Sequence, residues 1–221
     1  MARQLALPFE VRSASSRGDF VAAPCNEAAL HFIDRWPDWP VRAAALYGPE
    51  GSGKSHLAEV WCRAAGAQSI AAGLLTLELV AALPPYVAVE SVDDGVMSDE
   101  HALALLALFE RSFGVLLLTG RGEPSEWPAP IGDLRSRFLS LLAFPLWAPD
   151  DVLLGNIARK LFADRQLEVP EPVIKRLLIG LQRTPAAVAD FVARLDANAL
   201  AEHRPITERL VLELLDGTAD G

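Results

Sequence analysis

Apolar and polar positions change their spacing several times along the chain. Residues 11–18 (VRSASSRG) are small and mostly polar with no period, so they read as a flexible link between the first ten residues and the body. Beyond them, short apolar runs at Ala43–Tyr47, 68–70, 86–89, 115–119 and 143–146 have strand length and composition. Longer stretches with helical spacing lie between them, at about Lys54–Ala65, 74–83 and 99–112. Asp99 and Glu100 open the last of these, where acidic side chains oppose the positive end of a helix dipole. Strands alternating with helices predict an α/β fold with a parallel five-stranded sheet. After Pro149 the pattern becomes helical throughout. Leu153, Leu154, Ile157 and Leu161 form one apolar stripe, and Val173, Leu177 and Leu178 begin another. Thr184 followed by Pro185 reads as a cap and first-turn proline, and Thr207 as a further cap. The expected organisation is a peptide and linker at 1–18, an α/β base at 19–148 and a small all-helical unit at 149–221.

Composition narrows the classes. Of 221 residues, 51% are apolar and 22% charged, a globular balance without the polar excess of disorder. The net charge of −9 repels phosphate backbones and argues against sequence-independent DNA binding. Cys25 and Cys62 are too few to frame a disulfide scaffold and read as packing residues. The N-terminus lacks the apolar core of a secretion signal, and no run reaches the length of a membrane span. A soluble, cytoplasmic protein is expected.

The chemistry begins at Gly48-Pro49-Glu50-Gly51-Ser52-Gly53-Lys54-Ser55, which matches GxxxxGK[ST] between an apolar strand and a helix. In that context Gly48, Gly51, Ser52 and Gly53 shape a loop whose backbone N–H groups converge on phosphates, and the helix N-terminus adds its partial charge. Lys54 is expected to reach the β- and γ-phosphates of ATP or ADP, and Ser55 to bind Mg2+. His56 reads as a helix-packing residue. A phosphate cradle of this kind needs an acidic partner for magnesium, and Glu90, closing the run Tyr86-Val87-Ala88-Val89-Glu90, is assigned to it as an indirect ligand. Asp93 and Asp94 are the substitutes should the strand run further. Ser91 stands where many ATPases carry a second carboxylate to position water, so little or no turnover is expected from this chain alone. Thr119 ends the following apolar run, either to bond a γ-phosphate or its water, or to cap the strand.

These residues resemble the DnaA family of AAA+ proteins, and within it the short regulators of the Hda type. Asp19-Phe20-Val21 with Asn26-Glu27-Ala28-Ala29 is similar to the family's opening box. The loop through His56 and Leu57 is similar to its P-loop, and Asp133-Leu134-Arg135-Ser136-Arg137-Phe138 to its arginine-finger box. The resemblance implies an AAA+ base with a small all-helical lid. It places Phe20 and Val21 around the adenine and makes Arg137 a finger that acts on the nucleotide of an adjoining subunit, with Arg135 as the fallback. The chain ends after the lid, so the C-terminal DNA-reading domain of DnaA is not expected. The lid arginine with which DnaA senses nucleotide has no clear match, since Ala186 takes its place and Arg183 lies one turn earlier.

Gln4-Leu5-Ala6-Leu7-Pro8-Phe9 resembles the short motif by which bacterial replication proteins dock on the polymerase III beta sliding clamp. Leu7 and Phe9 suit an apolar pocket with Gln4 bonding at its rim, and Leu5 belongs to the same clamp-binding set. Together the resemblances imply a clamp-bound regulator that promotes hydrolysis of DnaA-bound ATP and inhibits repeated initiation, and they leave room for a homo-oligomer. The alternative is a DnaA-like adaptor for other replication or division proteins that triggers no hydrolysis.

Overall fold

The structure, a computed structural model, describes residues 16–216. Five parallel strands, β1 (Ala43–Tyr47), β2 (Gln68–Ala71), β3 (Tyr86–Glu90), β4 (Val115–Gly120) and β5 (Leu142–Pro145), form one sheet in the order β2-β3-β4-β1-β5. Parallel strands need crossovers, and these are helical: α2 (Lys54–Ala65), α3 (Leu77–Ala82), α4 (Asp99–Phe109) and α5 (Gly132–Leu139), with α1 (Glu27–Asp34) ahead of the first strand.

Successive strand residues point to opposite faces, and the base has two apolar layers accordingly. Ala44, Leu46, Ala88 and Leu117 pack with Leu57 and Trp61 of α2 and Phe32 of α1. Ala45, Val87, Val89 and Leu118 pack with Leu105 of α4 and Leu134 and Phe138 of α5. Ala44, Ala45 and Leu46 are all fully buried, as expected of a central parallel strand.

The C-terminal helices α6 (Asp151–Asp164), α7 (Glu171–Gly180), α8 (Pro185–Glu202) and α9 (Glu208–Asp216) have their own core, including Phe162, Leu177, Val188, Phe191 and Leu195. The threonine caps are present: Thr184 accepts the Ala187 N–H at 3.2 Å and Thr207 accepts that of Leu210 at 3.3 Å.

The α/β architecture is the one expected, with local differences. The stretch 74–83 is not one helix, because Leu75 is buried in extended conformation and the Thr76 hydroxyl caps a fresh start by accepting the Leu79 N–H at 3.1 Å. β5 begins one residue early, leaving Leu146 just past its end. Helices α1 and α5 carry no expectation from spacing, since each is eight residues long. That is barely two turns, too short for a helical period to show.

Candidate nucleotide site

In register, Tyr47 lies beside Gly120 and Pro145, so β1, β4 and β5 end together and the chain leaves β1 at the sheet's C-terminal edge. Ligands of open parallel sheets bind at this edge. The loop of residues 48–53 turns there into α2, and its shape requires glycine at defined points. Gly48 has φ +149°, and a Cβ on it would lie 1.9 Å from the Leu146 carbonyl oxygen. Gly51 has φ +75°, and a Cβ there would meet the Thr184 methyl at 2.7 Å, so loop and lid touch at this residue.

Lys54 turns back over the loop, its Nζ donating to the carbonyls of Gly48 at 2.7 Å and Pro49 at 2.8 Å. Burial lowers its pKa, Asp93 opposes that shift, and the positive charge of Arg121 adds to it. Ser52 is buried and its Oγ has no hydrogen-bond partner among the described residues. Gly51, Ser52, Gly53, Lys54 and Ser55 line a cavity of about 550 Å³, a size suited to a small molecule. Gly48 does not line it and contributes through the carbonyl that holds Lys54.

Glu90 is placed differently from its expected role. Its Oε1 accepts a hydrogen bond from Ser69 Oγ of β2 at 2.5 Å, and it is not among the residues lining the cavity. Ser91, at φ +58°, turns the chain after β3, and two residues later Asp93 faces the cavity. Asp93 Oδ2 accepts the backbone N–H groups of Arg121 at 2.7 Å and Gly122 at 2.9 Å. Its Oδ1 is buried without a hydrogen-bond partner among the described residues. Thr119 also lines the cavity, with its Oγ1 accepting the Ser91 N–H at 3.2 Å. The hydroxyl proton of Thr119 is left for another acceptor, so tying off the strand and facing the cavity are compatible.

At the other end, Phe20 and Val21 line the cavity. The Phe20 ring stands edge-on to His56, with centroids 5.3 Å apart, and also rests against Gly53. Asn26 holds this segment in place, donating to the Val21 carbonyl at 3.0 Å and accepting the Ala23 N–H at 2.9 Å. His56 is more than packing: it lines the cavity, its Nε2 is buried without a hydrogen-bond partner among the described residues, and burial lowers its pKa. Leu153, Ile157 and Leu161 of α6 with Pro185, Ala186 and Ala189 of α8 form an apolar roof. Lys160 of α6 spans the two parts, its Nζ bonded to Asp19 Oδ1 at 3.0 Å and Asp164 Oδ2 at 2.7 Å. Hydrogen bonds from Ser16 and Lys160 hold the Asp19 carboxyl below its usual range.

Arg137 sits elsewhere. It is exposed on α5 and lines a second cleft of about 410 Å³ with Arg42, Ala43, Val87 and Val115, at the starts rather than the ends of the strands. Neither Arg135 nor Arg137 has a side-chain hydrogen bond or ion pair among the described residues. Gln4, Leu5, Leu7 and Phe9 lie outside the described residues. No described helix is long and apolar enough to cross a membrane.

Sequence spacing does not reveal His56, Arg121 or Lys160 as cavity residues. The Asp-Asp pair after Ser91 was the available signal for Asp93.

In sequence, the chain matches no family model and no curated protein. In structure it is similar to domain III of the replication initiation protein DnaA from Thermotoga maritima, with TM-score 0.76 and 18% identity over 94% of this chain and 98% of that one. AMPPCP-bound DnaA from Aquifex aeolicus aligns at TM-score 0.69 and 13% identity, covering 85% of this chain and 67% of that one. The RuvB Holliday junction branch migration motor of Thermotoga maritima aligns at TM-score 0.69 and 15% identity, covering 87% of this chain and 67% of that one. The chain therefore spans about two thirds of the longer proteins and nearly all of the isolated DnaA domain, and its fold is the AAA+ fold that DnaA domain III and RuvB share.

Proposed function

We propose that this protein binds ADP or ATP between its base and its helical lid, and from that state regulates replication initiation by promoting hydrolysis of DnaA-bound ATP. One observation carries the nucleotide reading: of five buried, unpartnered side-chain polar atoms among the described residues, Ser52 Oγ, His56 Nε2 and Asp93 Oδ1 all belong to residues lining one cavity. Buried polar atoms are ordinarily satisfied, and a phosphorylated nucleoside offers acceptors and donors at this spot. Lys54 would exchange its loop carbonyls for phosphate oxygens, and Phe20 would face the base.

The residues also suit magnesium. Ser55 opens α2 at the phosphate end, and the orphaned Asp93 Oδ1 is a better placed carboxylate than Glu90, which Ser69 already occupies. When bound, the metal would supply positive charge that offsets that of the phosphates. Asp93 would hold it, Thr119 would donate to a phosphate or its water, and Ser91 cannot orient water as a carboxylate does. Slow or absent turnover follows.

The regulatory reading rests on Arg137 and on the resemblance of its surroundings to an arginine-finger box. A guanidinium exposed at the strand starts, with no partner among the described residues, is remote from the chain's own phosphate loop at the strand ends. It is available to a phosphate held by another molecule. Docking through Gln4, Leu5, Leu7 and Phe9 on the sliding clamp would bring it to DnaA. The test is the conversion of DnaA-bound ATP to ADP with saturating protein, with and without DNA-loaded clamp. Clamp-dependent acceleration is expected; none at all would overturn the regulator and favour the adaptor reading.

A further inference from the structure

The cations around the cavity are unevenly committed. Lys160 is bonded to two carboxylates and Lys54 to two carbonyls. Arg183 does not line the cavity and pairs with Asp151 at 2.8 Å. Apart from Lys160, the lid residues lining the cavity are apolar, so the lid supplies no uncommitted cation for a phosphate.

Arg121 is the cation left over. It follows the last residue of β4 and lines the cavity. Its side chain makes no hydrogen bond among the described residues and has only two loose ion pairs, with Nη2 3.9 Å from Glu50 Oε2 and 3.9 Å from Asp94 Oδ1. Those distances exceed hydrogen-bond length, and the partner carboxylates are 86% and 67% exposed, so the guanidinium leaves them at little cost. Its position is at the phosphate end. Glu50 belongs to the glycine-rich loop, Asp93 anchors the Arg121 backbone N–H at 2.7 Å, and the Arg121 charge is felt at Lys54.

We propose that Arg121 binds the terminal phosphate of the nucleotide and so tells ATP from ADP, a task for which the described lid residues lining the cavity offer no free cation. The assignment rests on the nucleotide reading above. A guanidinium presents a planar fork that matches two phosphate oxygens. A γ-phosphate also brings added negative charge close to Glu50 and Asp94, which Arg121 offsets. ADP lacks that group and gains less from the arginine.

The experiment is calorimetric titration of the full chain with Mg-ADP and with a non-hydrolysable Mg-ATP analogue. The proteins are the parent, Arg121→Gln, Arg121→Lys, Arg183→Gln and Lys54→Ala. Arg121→Gln is expected to weaken the ATP analogue by about 10–100-fold, the loss of a charge-assisted contact, and ADP by less than about 3-fold, the scale of an exposed ion pair. Lysine should recover part of the loss, and Arg183→Gln should change neither ligand. Unchanged affinity for the ATP analogue, or equal loss of both nucleotides, would overturn the assignment. So would the same selective loss in Arg183→Gln. Lys54→Ala separates the two levels: if it loses both nucleotides while Arg121→Gln loses neither, Arg121 alone is misassigned. If the parent binds neither nucleotide, the nucleotide reading fails and this assignment with it.

Discussion

The two ends of the sheet hold charge differently. Where the strands end, Lys54, Asp93, Lys160 and Asp19 are held by hydrogen bonds to backbone or to one another under an apolar roof, with Arg121 loosely paired beside them. Where they begin, Arg42 and Arg111 are spent on backbone carbonyls, but Arg137 stands exposed with no partner among the described residues. A preorganised set of charges suits a ligand bound within the molecule, since it costs little to complete. An uncommitted guanidinium on the surface suits a charge that arrives on another molecule.

Breaking the second end should give the largest effect. Arg137→Ala should lose roughly 10³-fold of the stimulation of DnaA's ATP hydrolysis, the lower range for fingers supplied in trans, while retaining nucleotide binding. Lysine should rescue poorly, because a point charge does not reproduce the planar fork. Single-turnover conversion of DnaA-bound ATP measures it. If Arg135→Ala is the variant that fails, the finger is one turn fragment away from where we put it.

At the first end, Lys54→Ala should weaken both nucleotides by about 100-fold, as expected for removing a buried charge-assisted contact. Titration calorimetry checks this, and undiminished affinity would end the phosphate-loop reading. A sharper distinction lies between the two candidate carboxylates. Asp93→Asn should reduce the magnesium-dependent part of nucleotide affinity by about 10-fold, and Glu90→Gln by less than about 3-fold. The reverse order would return the metal to Glu90.

The smallest effect concerns His56. Burial lowers its folded pKa below the unfolded value near 6.5, so the unfolded chain binds the proton more readily. Stability is then complete above about pH 6.5 and declines as pH falls from there toward the lower folded value. His56→Gln removes the titrating group, and urea unfolding at pH 7 and pH 5.5 should show a smaller loss for the variant than for the parent. Equal losses would locate the acid sensitivity elsewhere.

Much of this was written in local spacing. The run Ala43–Tyr47, the glycines after it and the helix Lys54–Ala65 are contiguous, so each is legible from neighbours in the chain. The lid caps at Thr184 and Thr207 are local for the same reason. The glycine-rich loop and the α/β class are therefore legible in the sequence alone. The carboxylate was not. Glu90 and Asp93 are three residues apart, and only the packing of β3 beside β2, with the left-handed turn at Ser91, sends one to Ser69 and the other to the cavity.

Likewise, nothing near Arg121 or Lys160 in sequence announces a ligand. Lys160 meets Asp19 across 141 positions of chain, and Arg121 reaches Glu50 because β4 lies beside β1. Residue type and local period determined which elements form and where the glycine-rich loop lies between them. Long-range packing alone decided which charges are already spent and which remain free, because the partner that neutralises a charge is chosen by proximity in space.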